Sequence, residues 1–480
     1  MESKLFIKVK LILLLCLTTK AILGQINLNM PVNRSVFQRV NNKASIQIGG
    51  TISTNYTELQ AKLEVINGGT AIEWITLKTN LSPGIFRMEL PNVDAGWYTL
   101  KVRGLQNGLE FGSIAEISKV GVGEVFIIAG QSNAQGGRPP DAAFPSTTFY
   151  GANDDRVNCI NYFENSASNE FPFPIISKIA AETDIAPRGR ASWCYALLGD
   201  LIAQNWNVPV LFFNAATGDT NAQNWSDSAE GIPYYYYDRY IEDGTPYIYL
   251  KKTLEYYGKI YGVRSVLWHQ GESDIFQFDE YPEKPINYVN NITKIINKSR
   301  ENIGGNISWL IARVSRMADW TSIGLIQTQY NIGSTPNFNT FVGPETDNIQ
   351  PGSIYRDGGV HFRAEGFIEL ANAWYNSLIS SNLLYNSNPL KGSNNLEVIN
   401  SKFVIGPNIP PCVSAIESVT SGDWNNPAIW SCGIVPEITH EVIINEGHTV
   451  SINNYTASAK SLTNNGTLIF SNGGILALGQ

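Results

Sequence analysis

The 480-residue sequence predicts an α/β protein: a three-layer domain with a mostly parallel sheet, flanked by an N-terminal β-sandwich and a C-terminal β-rich module. Three observations carry this expectation. Between Glu124 and Ser380, continuous apolar runs alternate with helical stretches, the pattern of strand–helix–strand units. Before them, from about Gln25 to Lys119, runs are short, alternating and broken by turns. After Ser380 the chain turns rich in Asn, Ser and Pro, and short β runs then resume.

Composition bounds the function. Lys and Arg number 34 against 42 Asp and Glu, a net charge of −8, and no Lys/Arg block interrupts the balance. Phosphate binding rests on clustered positive charge, so no nucleic-acid partner is expected. Aromatics at 11%, with 42 glycines and 23 prolines, fit a turn-rich globular chain rather than a coiled coil or a disordered tail.

Residues 1–24 read as a signal peptide. Lys4, Lys8 and Lys10 precede the apolar run Leu11–Leu17, and Gly24 offers a small-residue exit. The run breaks at Thr18–Lys20, short of the roughly 20 apolar residues that a spanning helix needs. No stable membrane insertion is therefore expected, and the protein is read as secreted or extracytoplasmic. Cys16 raises the alternative of a lipoprotein signal, but Leu15 stands where a small residue belongs. Four cysteines then remain, which permit three pairings; proximity favours Cys159–Cys194 and Cys412–Cys432, against the alternative of free buried thiols.

Residues 25–120 form the expected sandwich, with strands near Ala44–Ile48, Ala61–Val65, Ile72–Lys78, Ile85–Leu90 and Tyr98–Val102. The segment Asp94-Ala95-Gly96-Trp97-Tyr98 is similar to the tyrosine-corner strand of immunoglobulin-like domains. Residues 121–385 form the α/β domain. Its strands fall at Val125–Ala129, Pro209–Phe213, Ser265–Trp268, Ser308–Val314 and Phe341–Val342. Its helices fall at Ser192–Gln204, Tyr247–Tyr261, Ile286–Asn302, Thr321–Tyr330 and Ala364–Ser380. Residues 386–412 read as a linker, and 413–480 as a surface module resembling the β-solenoid-like modules of bacterial cell-surface proteins, opened by Gly422-Asp423-Trp424 and Trp430-Ser431-Cys432-Gly433.

Ligands of parallel sheets bind beyond the carboxyl ends of the strands, and four motifs fall there. Gly130-Gln131-Ser132-Asn133 follows the first strand, where a serine hydroxyl and its own peptide N–H both reach the sheet edge. Asn214-Ala215-Ala216-Thr217-Gly218-Asp219 ends the second, and Gly218 permits close backbone approach. Trp268-His269-Gln270-Gly271-Glu272-Ser273-Asp274 ends the third; Gln270 is a candidate amide donor, while Glu272 and Asp274 could instead anchor loops. Their spacing with His269 fits no recognised metal site, and neither metal nor cofactor is expected. Asp357-Gly358-Gly359-Val360-His361-Phe362 precedes the last helix and supplies a histidine with a nearby carboxylate, as a serine nucleophile requires. Each motif alone has an ordinary reading as a turn or a structural histidine; the ordered set is what points to catalysis.

Together these motifs resemble the SGNH-hydrolase superfamily, with its flavodoxin-like fold. Within it they are similar to the sialate O-acetylesterase-like branch that also holds carbohydrate esterase family 6, over roughly Gly121 to Leu384. The resemblance implies Ser132 as nucleophile and His361 as base. It implies an oxyanion hole of the Ser132 and Gly218 peptide N–H groups with Gln270 in the third place, and Asp357 as the acid. Two positions depart from the family pattern. Asp357 stands four residues before the histidine instead of three, so a bulge must return it, or a backbone carbonyl or another acid such as Asp347 orients the ring. Ala134 replaces a methionine common after Gly-Gln-Ser-Asn. The implied protein is a secreted esterase acting on acetylated carbohydrate; the alternative is a carbohydrate-binding or adhesion protein whose α/β domain has lost activity. Asn221 and Trp225 are candidate substrate contacts, as are Gln223, Tyr234–Tyr237 and Phe276. Oligomeric state is not legible.

Overall fold

The computed structural model describes residues 26–479 apart from 142–143, 145–146, 165–166, 168–170, 172, 237, 350–353, 393–414, 427–428, 431–434, 437 and 439. The segment read as a signal peptide lies outside these residues, as do Cys412 and Cys432 and most of the linker. Two compact units are present, one holding residues 26–167 and 176–392, the other 171, 173–175 and 415–479.

The first unit opens with β1 (Ile26–Met30), β2 (Ser35–Gln38), β3 (Lys43–Ile52), β4 (Tyr56–Gly68), β5 (Ile72–Leu81), β6 (Gly84–Asp94), β7 (Gly96–Gln106), β8 (Leu109–Glu110) and β9 (Ala115–Gly130). Strands β1, β3 and β6 make one antiparallel sheet, and β5, β4, β7 and β9 run in order through another. Period-two burial explains β4: Leu59, Ala61 and Leu63 are fully buried, whereas Gln60, Lys62 and Glu64 between them keep contact with solvent. Tyr98 lies in the core and donates its hydroxyl to the Asp94 carbonyl (2.7 Å), four residues upstream.

Strand β9 crosses the expected boundary at residues 120/121 without a break. Its first half pairs with β7 and, through Ser35↔Val120 to Gln38↔Gly123, with β2. Its second half, from Glu124 onward, is the central strand of the parallel sheet. Where the two halves meet, the buried Glu124 carboxylate accepts from Arg264 Nε (2.7 Å), Arg39 Nε (2.7 Å) and Gln38 Nε2 (3.0 Å). Burial pushes this carboxyl's pKa up, but the two guanidinium groups outweigh that and hold it below the ordinary value.

The parallel sheet adds β10 (Val157–Ile160), β11 (Ile176–Lys178), β12 (Val210–Asn214), β13 (Ser265–His269), β14 (Ser308–Arg313) and β15 (Thr340–Glu345). The order is β11-β10-β12-β9-β13-β14-β15, all parallel except β11 at the edge. The apolar runs of β9, β12 and β13 are buried along their whole length, because helices cover both faces. These helices are α1 (Ser132–Gln135), α2 (Tyr195–Trp206), α3 (Ala222–Ala229), α4 (Glu283–Ile303), α5 (Ile323–Gly333) and α6 (Glu365–Ser380). Helix α2 packs on α6, while α3, α4 and α5 pack in series. After β9 the chain builds β10 and β12 on one side, then β13 to β15 on the other, so β9 sits at the switch point where a crevice opens.

The disulfide expected at Cys159–Cys194 is not formed: both cysteines are free and buried. Cys159 sits inside β10 with its thiol toward the Asp184 carbonyl (3.6 Å), and Cys194 precedes α2. Burial raises both thiol pKa values well above the ordinary range, as expected of inert packing groups.

In the second unit, short strands stack in parallel: Glu441–Ile444 on Ser461–Asn464, Thr449–Asn453 on Thr467–Ser471, and Thr456–Ala459 on Ile475–Leu478. Trp424 and Trp430 meet edge to face at 4.9 Å in its core, beside Ile444, Val450 and Ile452.

Candidate active site

The site grows from the end of β9. Gly130 has φ +133°, and a Cβ there would lie 2.0 Å from the His269 carbonyl oxygen of β13, so only glycine lets the two strands run together. One residue later the chain enters α1, and Ser132 arrives at the sheet edge, almost wholly buried. Its Oγ lies 2.9 Å from His361 Nε2. With the ring proton on Nδ1, Nε2 accepts the serine hydroxyl, the arrangement by which an imidazole takes a nucleophile's proton. The Phe144 ring packs against the imidazole at 4.4 Å.

His361 is held by a hairpin, β16 (Arg356–Asp357) and β17 (His361–Phe362). Gly358 and Gly359 have φ +55° and +72°, and the Val360 N–H donates to the Asp357 carbonyl (3.0 Å), closing a tight turn that suits two glycines. This turn absorbs the extra residue in the motif, because Asp357 and His361 become directly paired across the hairpin. Side chains of such a pair share one face, with Cβ atoms about 4.5–5.5 Å apart. The Asp357 carboxylate, partly exposed, meets Arg363 Nη1 at 3.6 Å. Asp347 accepts from the Ser315 and Arg316 N–H groups (2.9 and 2.8 Å) and the Ser315 hydroxyl.

The remaining two letters of Gly-Gln-Ser-Asn are the joints of the site, roles that the sequence reading did not assign. Asn133, fully buried, donates to Glu272 Oε1 (2.8 Å) and to the Val360 carbonyl (3.0 Å), and accepts from the Phe362 N–H (3.1 Å). It thereby fastens the His361 hairpin to the serine turn. Gln131 Oε1 accepts from the Gly271 and Ser273 N–H groups (3.1 and 3.2 Å), fastening the loop after β13. Glu272 lies 3.6 Å from the buried His269 ring. Burial drives its carboxyl pKa up, yet His269 and Asn133 leave it lowered overall. The signal for these joints was the polarity of residues beside a strand end, where buried polar atoms require partners.

Gly218 lies over the serine: a Cβ there would be 3.6 Å from Ser132 Cβ. Its N–H donates to Gln135 Oε1 (2.8 Å). Gln270 is brought to the same edge but not into the crevice. Fully buried, its Nε2 donates to Gln131 Oε1 (3.2 Å) and to Asp274, while its Oε1 accepts from the Tyr288 hydroxyl (3.1 Å). The third oxyanion donor expected from Gln270 is thus tied into a structural network. Burial pushes the Asp274 carboxyl up to about 6, against the lowering pull of Gln270 and of the Ala222 N–H at the start of α3.

One further expectation is corrected. Trp225 is not a substrate contact: it is wholly buried, donates Nε1 to Thr220 Oγ1 (2.8 Å) and packs edge to face on Trp268. Asn221 caps α3 reciprocally with Asn224, so its side-chain oxygen serves the helix. Gln223 bonds Asp227 and Asn291. Phe276 remains exposed, and Tyr237 lies outside the described residues.

A search of the curated proteins finds no match. Among solved structures, a carbohydrate acetylesterase from Xanthomonas citri is 17% identical, with 74% of this chain and 75% of that one covered at a TM-score of 0.44. An Arabidopsis thaliana protein is 15% identical over 54% of this chain and 98% of its own, TM-score 0.37. A family two carbohydrate esterase from Cellvibrio japonicus is 11% identical over 75% and 98%, TM-score 0.29. The sequence profile for carbohydrate esterases described as sialic acid-specific acetylesterases matches residues 122–380, more than half of the chain and the whole segment that carries the Ser132–His361 pair. The chain therefore belongs to this family of carboxylic ester hydrolases, the sialic acid-specific acetylesterase family of carbohydrate esterases.

Proposed function

We propose that the protein is a secreted serine esterase that removes O-acetyl groups from carbohydrate through an acyl-enzyme. The observation that carries this reading is the 2.9 Å contact between Ser132 Oγ and His361 Nε2 at the carboxyl end of the central strand. Ser132 Oγ attacks the acetyl carbonyl carbon while His361 Nε2 takes its proton. The carbon–oxygen bond to the sugar then breaks, and His361 returns the proton to the departing sugar oxygen. Water, deprotonated by the same imidazole, attacks the acetyl-serine, and acetate leaves as Ser132 recovers its proton.

The oxyanion is met by the Ser132 and Gly218 peptide N–H groups. The Gly218 N–H now serves Gln135 Oε1, which the substrate oxygen displaces. Asp357, paired across the hairpin, orients the imidazole and balances its charge. The two antiparallel sheets are read as an immunoglobulin-like sandwich that supports the catalytic layer, and the second unit as a surface module. Secretion rests on Lys4 to Gly24 of the sequence.

Hydrolysis of nitrophenyl acetate and of acetylated glycans, abolished by Ser132→Ala in a protein of unchanged circular dichroism, is the expected result. A wild-type protein that binds glycan but turns over neither would leave the binding or adhesion reading in its place.

A further inference from the structure

Between the loops that follow β13 and β14 lies a groove of about 440 Å³, within the size range of small-ligand sites. One wall is residues 275–280 and the other 319–322. Two large aromatic side chains in it stay open to solvent, Phe276 at 61% and Trp320 at 62% exposure. Two exposed rings on opposite walls of one groove offer faces on which a ligand can stack. The walls are tied together: Asp279 of the first accepts from Ser322 Oγ (2.9 Å) of the second and from the Gly324 N–H (3.0 Å).

Both walls continue from segments held against neighbours of the reacting residues, Gln131 in one case and Gly359 in the other. The first follows the 3₁₀ turn Glu272–Asp274, which Gln131 holds next to Ser132. The second follows Ala318, against which the turn of the His361 hairpin rests, since a Cβ on Gly359 would lie 2.8 Å from Ala318 Cα. A molecule bound in the groove is therefore a neighbour of one bound at Ser132.

The groove's charge narrows its occupant. Its lining contains the carboxylates of Asp279, Glu280 and Asp319 and no lysine or arginine. With Asp279 engaged, Glu280 and Asp319 remain to accept from hydroxyl groups. Aromatic faces beside carboxylates suit the C–H faces and hydroxyls of a pyranose, and repel a sugar that carries its own carboxylate. We propose that this groove is a subsite for uncharged sugar rings adjoining the acetylated one, so that the enzyme takes acetyl groups from a neutral glycan chain rather than from a sialic acid. The subsite rests on the esterase reading above and deepens it.

The test uses the full chain, with Phe276→Ala, Trp320→Ala and Trp320→Tyr, on three probes: nitrophenyl acetate, a neutral acetylated xylo-oligosaccharide and an O-acetylated sialic acid. Each alanine variant should lower kcat/KM on the oligosaccharide, mainly through KM, by about tenfold more than on nitrophenyl acetate, and Trp320→Tyr should restore most of the loss. The wild type should prefer the oligosaccharide to the sialic acid. Equal losses on the small ester and the oligosaccharide, or a preference for the sialic acid, would overturn the subsite while leaving the esterase standing. If nitrophenyl acetate is cleaved but no acetylated glycan is, the carbohydrate reading itself falls and takes the subsite with it.

Discussion

Replacing Asn133 by alanine tests whether the joint between the serine turn and the histidine hairpin positions the catalytic pair. Three hydrogen bonds disappear together. The Val360 carbonyl keeps its bond from Arg356 Nη1 (2.7 Å), so it is not orphaned. The buried Glu272 carboxylate loses its 2.8 Å donor, and the Phe362 N–H loses its acceptor. A hydrogen bond to a charged group is worth about 1.5–3 kcal/mol, and a buried donor left unpaired costs about 1–3 kcal/mol. The variant should be destabilised by roughly 3–5 kcal/mol on that basis. The chemistry should suffer separately, because an unfastened hairpin lets the imidazole drift, and a displacement near 1 Å costs about 10²-fold in rate. The assay is kcat on nitrophenyl acetate at a temperature where circular dichroism shows the variant folded, beside its urea midpoint. Glu272→Gln, which keeps an acceptor for Asn133, should lose far less kcat. A folded Asn133→Ala protein with near-normal kcat would refute the positioning role.

The other expectations are these. Asp357→Asn should lower kcat by up to about 10⁴-fold if its carboxylate orients His361; near-normal kcat in a protein that His361→Ala inactivates would leave a Ser–His dyad or another acid. Gln270→Ala should reduce thermal stability, because Asp274 and Tyr288 lose partners; a kcat loss of 10²–10³-fold at unchanged Tm, the size of a lost oxyanion donor, would return Gln270 to that role. Asp274 binds its proton more tightly in the folded protein (about 6) than in the unfolded chain (about 3.9), so its contribution to stability falls as pH rises from about 4 through about 6. Asp274→Asn should flatten that slope in urea unfolding compared at pH 4 and pH 7, by about 2 kcal/mol, and an unchanged difference would show that the raised pKa is not felt. Glu124→Gln leaves two buried guanidinium groups short of a counter-charge and should cost about 3–5 kcal/mol; an unaltered Tm would mean that the junction is solvated in solution.

What the sequence made legible followed physical periodicity. Val125–Ala129, Pro209–Phe213 and Ser265–Trp268 read as strands because no polar residue interrupts them, and a strand covered on both faces needs none. Val157–Ile160 escaped notice because it is four residues long and contains Asn158, whose buried amide accepts from Arg34 Nε (2.8 Å), a residue of the turn between β1 and β2. That Ser132, Gly218 and His361 would meet beyond the strand ends was legible, and the structure brings them together there. The burial of Gln270 and Trp225 was not, since their partners Tyr288 and Trp268 belong to contacts that no local pattern encodes. The boundary at residue 120 was drawn where alternating runs give way to a continuous one at Glu124. That change reflects a change of neighbours along a single strand, from β7 and β2 to β12 and β13.

Strand β9 also imposes an order on assembly. In chain order, the outer half of β9 pairs with β7 and β2, strands that precede it. Its inner half, Val125-Phe126-Ile127-Ile128-Ala129, waits for residues 210–214 and 265–269 before either edge is paired. During that interval a flat, wholly apolar edge with no charge in it stands open, the kind of segment that recruits strands from other chains. The early sheets anchor one end of this run but cannot cover it. A partly folded chain whose residues 210–214 and 265–269 have not yet docked is accordingly the species most open to misassembly, with Glu124 the last charge before the exposed run begins.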